Sequence, residues 1–304
     1  MKITVVGAGA LGAVYGTKLA HAAQLVFVVR DLERAPRLIH IDRVNGPAPH
    51  GDSLDAPQMA LAIPDDTDVI LCTVHVEQLD AALVDKLASS RAPVVMLPPI
   101  LPPRAAALRD KLGDRMIAAM TGVIAYEPNE RPHERRVRYW SPKVSPTLLE
   151  DHPRARELVA LMHHAGLPAE ISAQAGPLQA ATTIAFFPIL TGIAAAGGSV
   201  DRMANDKQIM KLGFAAGKET RALARTVAEL PSWANAFFKF ASPLTAKIGI
   251  NLGKSKAPEV FVYLEKHFGS KLRAQNLALF HDIETMARER GIAIDALRSL
   301  VALM

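Results

Sequence analysis

The sequence contains one cysteine, few aromatic residues and only a small excess of positive charge. Of its 304 residues, 5% are aromatic, and 35 lysines and arginines against 30 aspartates and glutamates give a net charge of +5. A single cysteine, Cys72, excludes an intrachain disulfide framework, and its place in an apolar run predicts a small buried residue. We therefore expect a reducing, cytoplasmic compartment.

Several kinds of functional motif are also missing. The basic residues are scattered and do not interleave with aromatic residues, so the sequence predicts no nucleic-acid surface. No C-x-x-C, H-E-x-x-H or acidic calcium loop occurs, which predicts no metal site, and the G-x-S-x-G elbow of many hydrolases is missing. The N-terminal apolar run is broken by glycines and continues into a helical pattern, unlike a signal peptide.

One long segment, from Ile171 to Val200, carries no charge. Its length is sufficient for a membrane span. Pro177, Pro188 and several glutamines and threonines interrupt its apolar character, however. We interpret it as a buried helix of a helical domain and expect no membrane association.

Short apolar runs alternate with helical patterns in the first half of the chain. The runs are continuous, which is typical of parallel strands buried on both faces. They lie at Lys2–Val6, Leu25–Val29, Val69–Val74, Val94–Leu97 and Met116–Met120, with further strand candidates at Arg138–Ser141 and Ala169–Ser172. Helical patterns lie at Ala10–Ala23, Val76–Ala88 and Arg104–Leu112. Repeated strand–helix–strand units indicate an open α/β sheet.

Helical patterns dominate after about residue 172. An apolar stripe, closed by Gly291, predicts a long last helix. It consists of Leu272, Asn276, Leu279, Ile283 and Met286. The segment Gly249–Lys256 has the composition of a loop. The predicted fold class is therefore α/β, with an N-terminal Rossmann-type parallel-sheet domain over 1–170 and an all-helical C-terminal domain over 171–304.

A glycine-rich turn follows the first predicted strand and opens a helix. Gly7 permits a tight turn, Gly9 lets the backbone approach a pyrophosphate, and Gly12 lets helix and strand pack closely. The free N–H groups and the dipole of the helix then hold the phosphates. The predicted dinucleotide-binding residues of this turn are Gly7, Ala8, Gly9, Ala10, Leu11 and Gly12.

The end of the second strand bears on the choice between NAD and NADP. The strand ends in Val28-Val29-Arg30, and Asp31 comes one residue later. A guanidinium pairs well with a 2′-phosphate, which favours NADP(H) with Arg30 as the phosphate-binding residue. In the alternative interpretation, Arg30 is a solvated charge and Asp31 binds the ribose hydroxyls.

The third strand places Thr73, Val74 and His75 at the carboxyl edge of the sheet, where cofactors and substrates gather. We include all three among the cofactor-binding residues. His75 is also a candidate proton donor, because a histidine titrates near neutral pH. The other interpretation of His75 is that it contacts the cofactor ribose or caps the next helix.

The segments MKITVVGAGALGAVYGTKLA, VVR and ILCTVHVEQ resemble the ketopantoate reductase (2-dehydropantoate 2-reductase) family. In the second half, HHAGLPAEIS, FPILTGI and ETMARERGIAIDAL fall where that family has its interdomain strand, its Asn-Pro-Leu-Thr helix and its last helix. The resemblance implies an NADPH-binding domain, a cleft between two domains, and hydride delivery to a small-molecule 2-oxo acid. It is also compatible with a homodimer formed through the uncharged helices.

The catalytic residues of that family do not carry over to this sequence. The lysine that polarises the keto oxygen corresponds to Gln179, and the glutamate that holds the substrate hydroxyls corresponds to Gln275. Pro99 and Thr183 stand where the family has asparagines, and His75 replaces a lysine that reaches toward the cofactor. An amide can hydrogen-bond a carbonyl but supplies no proton near neutral pH.

Three interpretations follow from this combination: an NADPH-dependent reductase for a different substrate, an NADP(H)-binding protein without net hydride transfer, and a ketopantoate reductase with a rearranged site. We favour the first. Because a lysine and a glutamate are lost together, the cleft is either adapted to a less polar ligand or no longer used.

The candidates for the substrate cleft are polar residues of the helical domain together with His75. They are Gln179, Thr183, Gln275 and Asn276. Asn276 lies on the apolar stripe of the last helix, so its amide is either satisfied within the core or contacts a ligand. Tyr126 is interpreted as a packed residue, and the aromatic residues of Trp233–Phe240 and Phe261–Phe268 are candidates for an apolar pocket wall.

Overall fold

The computed structural model describes residues 1–44, 51–129, 131–142, 144–240, 242–256, 258–268 and 273–304. The chain divides into two compact units. The first comprises Met1–Ile100 and Ala105–Gly176, and the second comprises Leu101–Arg104 and Pro177–Met304.

The strands of the described residues all lie in the first unit. They are β1 (Lys2–Val6), β2 (Gln24–Val28), β3 (Leu38–Arg43), β4 (Gly51–Asp55), β5 (Met59–Ala60), β6 (Val69–Cys72), β7 (Val94–Met96), β8 (Met116–Met120), β9 (Ile124–Tyr126), β10 (Glu134–Trp140), β11 (Thr147–Leu149) and β12 (Ala169–Ile171).

Helices occur in both units. Those of the first half are α1 (Ala10–Leu19), α2 (Ala81–Ser89), α3 (Pro102–Leu112) and α4 (Pro153–His164), with short 3-10 helices at Val76–Gln78 and Gly113–Arg115. They are followed by α5 (Ala175–Ala195), α6 (Val200–Asn205), α7 (Lys207–Arg225), α8 (Ser232–Phe240), α9 (Pro243–Lys256), α10 (Pro258–Phe268), α11 (Arg273–Glu289) and α12 (Asp295–Val301).

The larger sheet of the first unit has eight strands in the order β12-β11-β8-β7-β6-β1-β2-β5. Its centre is parallel: β1 pairs with β2 and β6, and β7 and β8 continue the same direction. Among the described strand pairs of this sheet, β11 and β8 form the antiparallel one. All four residues of β6, including Cys72, are buried, as expected for a strand covered on both faces. The predicted Rossmann-type domain is confirmed.

A second, four-stranded sheet in the order β4-β3-β10-β9 packs near α1. The sequence indicated only the strand candidate Arg138–Ser141, which overlaps β10. In β3, Ile39 and Ile41 are fully buried while Leu38, His40 and Asp42 are not, so only one face of this strand enters the core. Tyr15 of α1 and Tyr139 of β10 belong to the same buried cluster.

The described residues of the second unit form helices and the turns between them. Among the described helices, α5 alone is long and apolar enough to cross a membrane, and 56% of its most apolar 18-residue window is buried. This burial agrees with the expected core helix. The division after Gly176 lies beyond residue 170 because β12 pairs with β11 and so extends the sheet of the first unit.

The predicted loop at Gly249–Lys256 is wrong, since this segment is the second half of α9. A Cβ atom at Gly253 would lie 2.8 Å from the ring of Phe261 on α10. The glycine therefore allows close packing of two helices. In α11, Asn276, Leu279, Ile283 and Met286 are buried, which confirms the stripe; Leu272 lies outside the described residues.

Candidate functional site

The glycine-rich turn lies at the carboxyl end of β1, in the middle of the parallel sheet. Gly7 has φ +103°, a conformation that side-chain-bearing residues rarely adopt. The hydroxyl group of Thr73 donates to the carbonyl oxygens of Gly7 (2.9 Å) and Val6 (3.1 Å). Thr73, at the end of the neighbouring strand β6, thus holds the turn in place. These hydrogen bonds give it a positioning role, beside the cofactor contact that the sequence predicts.

Gly12 allows α1 to begin directly at this turn. A Cβ atom at Gly12 would lie 2.0 Å from the carbonyl oxygen of Gly7 and 2.6 Å from the hydroxyl oxygen of Thr73. Any side chain at this position would therefore displace the backbone of the turn. Val74 packs beside the same turn, with its Cγ1 atom 3.0 Å from where a Cβ of Gly7 would lie.

Gly9 occupies the N-cap position of α1 and faces open space. It has extended backbone angles, and a Cβ atom there would meet nothing within 4 Å. No side chain of the described residues caps this helix, and no acidic residue lies in its first turn. The first backbone N–H groups of a helix have no partner inside it, and the helix dipole favours an anion beside them. These residues therefore fit the pyrophosphate of a dinucleotide.

Arg30 and Asp31 differ sharply in their partners. Arg30 is exposed and makes no hydrogen bond or ion pair with the described residues. Asp31 is engaged locally: its Oδ1 accepts the backbone N–H of Glu33 at 2.8 Å, and its Oδ2 lies 3.6 Å from Nε of Arg34. The free guanidinium at this strand end is thus more available to a ligand than the carboxylate.

His75 serves as the N-cap of the short helix Val76–Gln78. Its side chain accepts from the helix backbone, and the Oε1 atom of Gln78 accepts the backbone N–H of His75 at 3.3 Å. The predicted continuous helix Val76–Ala88 is therefore interrupted, and Asp80 caps the start of α2 by accepting the N–H of Leu83 at 2.8 Å. Of the roles weighed for His75, capping is the one for which the geometry gives hydrogen bonds.

The buried phenol group of Tyr15 anchors α1, the helix that follows the glycine turn. The hydroxyl of Tyr15 on α1 lies 2.6 Å from the hydroxyl of Thr147 and 3.1 Å from that of Thr121. Complete burial raises the pKa of Tyr15 to about 12, although both hydrogen bonds act in the opposite direction. The sequence pattern had not singled out this residue, because a tyrosine inside a helix gives no signal of its hydrogen-bond partners.

The polar candidates on α5 are Gln179 and Thr183, which lie four residues apart on the helix. Gln179 is buried and Thr183 is half-buried. Between them, the hydroxyl oxygen of Thr182 is buried without a hydrogen-bond partner among the described residues. Burying a polar atom without a partner costs free energy, so such atoms indicate where a ligand or water would bind.

The candidates on α11 are also buried. Gln275 is 8% exposed and Asn276 is 0% exposed. Neither polar atom of the Asn276 amide has a hydrogen-bond partner in the described part of the chain, which favours the ligand contact over the satisfied core amide. Further along α11, the carboxylate of Asp282 forms an ion pair with Arg104, with 3.0 Å between Oδ2 of Asp282 and Nε of Arg104. The sequence analysis had not identified this pair.

Tyr126 is buried and its ring stacks on that of Trp140, with 5.8 Å between centroids. This confirms it as a packed residue. In the second unit, Phe186 contacts the rings of Trp233, Phe237 and Phe238. Trp233 and Phe237 are about half exposed, so they form the outer side of this cluster.

A scan of protein-family models finds none that matches this chain, and a search of curated proteins finds no similar sequence. The fold, in contrast, is found among solved structures. A 2-dehydropantoate 2-reductase from Geobacter metallireducens GS-15 is 20% identical and has a TM-score of 0.70, with 100% of this chain and 98% of that chain covered.

Two further structures extend the comparison. A dimeric ketopantoate reductase from Staphylococcus aureus is 14% identical, with a TM-score of 0.66 and coverage of 99% of this chain and 96% of that chain. A D-mandelate dehydrogenase in complex with NADH is 14% identical, with a TM-score of 0.66 and coverage of 100% and 97%. The chain therefore has the two-domain fold of the ketopantoate reductases, a Rossmann-type sheet followed by a helical region.

Proposed function

We propose that this protein is an NADPH-dependent reductase whose substrate is less polar than ketopantoate. The observation that carries the proposal is the open N-terminus of α1 at Gly9, next to a glycine turn held by Thr73. The likeness to ketopantoate reductases and to an NADH-bound D-mandelate dehydrogenase supports a nicotinamide cofactor on this fold. When bound, such a cofactor supplies a hydride to a polarised double bond.

The residues of the turn have separate roles in this proposal. The backbone N–H groups of Ala10, Leu11 and Gly12 bind the pyrophosphate oxygens. Gly9 leaves room for the phosphate, and Thr73 keeps the Gly7 carbonyl in place beneath it. Arg30 selects NADPH because its unpaired guanidinium forms a charge-assisted fork with the 2′-phosphate, whereas Asp31 is occupied by Glu33 and Arg34.

The substrate proposal rests on neutral polar groups in the helical unit. Gln179, Gln275 and Asn276 are buried amides at or beside positions where the family resemblance expects charged groups. The Asn276 amide offers one donor group and one acceptor without an internal partner. A neutral substrate that carries an amide satisfies both atoms, and one that carries only a carbonyl satisfies the Nδ2 donor. A carboxylate would find no cation among these three residues.

An alternative is an NADP(H)-binding protein without net hydride transfer, either a non-redox enzyme or a regulator that responds to the cofactor. The same three amides favour it, because none of them donates a proton near neutral pH. His75, the titratable residue among the candidates, is used as a helix cap.

Cofactor binding and chemistry are separated by two measurements on the purified protein. We expect NADPH to bind in a fluorescence titration, and NADPH absorbance to fall with at least one member of a panel of carbonyl, imine and enone compounds. Binding without any turnover supports the alternative. No binding of NADPH or NADH contradicts both.

We further propose a homodimer formed through the helical unit. Its described surface carries exposed apolar side chains on α8 and α9, including Trp233, Phe237, Ile248 and Leu252. A large exposed apolar surface is typical of an interaction site. Sedimentation analysis tests this: the wild type should sediment as a dimer, and the double variant Phe237→Ser, Leu252→Ser as a monomer.

A further inference from the structure

A cavity of about 650 Å³ lies where the end of α7 meets α8, within the second unit. Three cationic side chains, Arg221, Arg225 and Lys239, line it together with the single carboxylate of Glu229. Its apolar wall is formed by Phe238 and Leu230. The lining therefore combines an excess of positive charge with an aromatic surface.

Arg221 is oriented toward this cavity by its own helix and by α8. Its Nε donates to the carbonyl oxygen of Gly217 at 2.9 Å, and its guanidinium lies over the ring of Phe238, with 5.2 Å from Cζ to the ring centroid. Its Nη2 nitrogen has no partner among the described residues. One edge of a fixed, planar donor group is thus free to bind a ligand.

Arg225 lies one turn after Arg221 on the same face of α7, so two like charges are neighbours. Partial burial is the larger cause that lowers the pKa of Arg221, and the neighbouring charge of Arg225 lowers it further. Neither arginine forms an ion pair with a carboxylate of the described chain, and Glu229 on the rim is also unpaired. By contrast, Arg109, Arg156 and Arg298 on the surface are each paired. An anion between the two guanidiniums would relieve this repulsion.

We propose that the α7–α8 cavity binds a small organic anion. Its oxyanion group, a phosphate or a carboxylate, lies between the guanidiniums of Arg221 and Arg225, and its apolar or aromatic body lies on Phe238 and Leu230. A guanidinium pairs with either oxyanion through two parallel hydrogen bonds. All of these residues lie on α7, α8 and the turn between them, so the proposal is independent of the glycine turn and of the proposed reductase activity.

Calorimetric titration of the intact protein with phenyl phosphate at low salt tests the site. We expect Arg221→Lys and Arg225→Gln each to weaken binding by about tenfold to a hundredfold, the value of one charge-assisted hydrogen-bond pair. Lys211→Gln removes a charge from the start of α7, away from the cavity, and should leave the affinity unchanged. Arg30→Ala should also leave it unchanged, which excludes binding at the proposed 2′-phosphate site beside Arg30.

The probes separate the two parts of the ligand. Inorganic phosphate should bind more weakly than phenyl phosphate because it lacks the ring, and benzyl alcohol should not bind because it lacks the charge. Benzoate distinguishes a carboxylate site from a phosphate site. The proposal is overturned if phenyl phosphate does not bind, if both arginine variants bind it as the wild type does, or if its affinity falls only in Arg30→Ala. Because Arg225 is exposed, its variant is expected to fold.

Discussion

At the scale of single residues, the two glycines Gly9 and Gly12 require the absence of a side chain for different reasons. A Cβ at Gly12 would clash with the carbonyl of Gly7, whereas a Cβ at Gly9 enters open space. The second glycine therefore matters to the fold, and the first matters to the dinucleotide that we propose binds there.

This difference gives a matched pair of variants. Gly9→Val should keep the thermal unfolding temperature of the wild type, since its backbone angles suit a valine, but abolish NADPH binding because the side chain occupies the place of the pyrophosphate. Gly12→Ala should lower the unfolding temperature markedly. Calorimetry and a fluorescence titration report the two effects. Normal NADPH affinity in Gly9→Val would contradict the dinucleotide site.

Arg30 is the residue on which the choice of cofactor depends. Arg30→Ala should weaken NADPH binding by at least about tenfold and leave NADH binding nearly unchanged, because only NADPH carries the 2′-phosphate. Asp31→Ala is the control, and it should change neither affinity by a comparable factor, since its carboxylate is used by Glu33 and Arg34. Equal losses for both nucleotides in Arg30→Ala would exclude the phosphate role.

Asn276 tests whether an unpartnered amide is kept for a ligand. Asn276→Leu retains the branching of the side chain and removes two buried polar atoms without partners. We expect the free energy of unfolding in urea to rise by about 1–3 kcal/mol, the cost of burying such a group. Asn276→Asp should instead destabilise the protein by adding a buried charge. A large loss of stability in Asn276→Leu would mean that the amide has a structural partner.

At the scale of the elements, the sequence predicted the central parallel strands because each is a continuous apolar run. The second sheet was missed because β3 is buried on one face only, and its sequence LIHIDR alternates apolar and polar residues over too few positions. The end of α9 was missed because Gly249 and Gly253 resemble loop residues, although Gly253 serves helix packing against Phe261. Local propensity is overridden by tertiary contact in such cases.

The start of α12 depends on a side chain from another helix. Both carboxylate oxygens of Glu219 on α7 accept backbone N–H groups of α12, from Ala296 and Leu297, each at 3.0 Å. Glu219→Ala should therefore lower the free energy of unfolding by about 1–3 kcal/mol, and Glu219→Gln by less, because the negative charge also favours the helix N-terminus. Lys218→Ala, at the exposed neighbouring position, is the control in the same urea titration. Similar stability of Glu219→Ala and Lys218→Ala would contradict this docking role.

At the scale of the whole molecule, the order of strands and helices was sufficient to predict the Rossmann-type sheet and the helical region that follows it. The glycine turn was predictable for the same reason: its residues are contiguous and their spacing has a backbone cause. The polar groups of the helical unit were not, because hydrogen-bond partners such as Arg104 for Asp282 lie far apart in sequence. Whether Asn276 has a partner is a property of packing and not of its helical position.

The reaction itself is tested at this scale, with ketopantoate as substrate. We expect the purified wild-type protein not to oxidise NADPH with ketopantoate at a useful rate. A positioned general acid contributes about 10²–10⁴-fold to such reactions, and Gln179 stands at the position where the resemblance expects that acid. Gln275 lacks the charge-assisted hydrogen bond of a carboxylate, and Pro99 offers no side-chain donor.

Partial restoration of the family residues should be ineffective for a physical reason. Gln179 is 7% exposed, so the lysine in Gln179→Lys would be buried, and burial favours its neutral form. We expect this variant to gain almost no activity, and the triple variant Gln179→Lys, Gln275→Glu, Pro99→Asn to gain a trace, because the glutamate restores a counter-charge for the lysine. The rate of NADPH consumption with ketopantoate measures both.

Robust turnover by the wild type would show that another group donates the proton. His75→Gln would then be the first variant to examine, because glutamine can still accept the helix-cap hydrogen bond but cannot donate a proton as an acid.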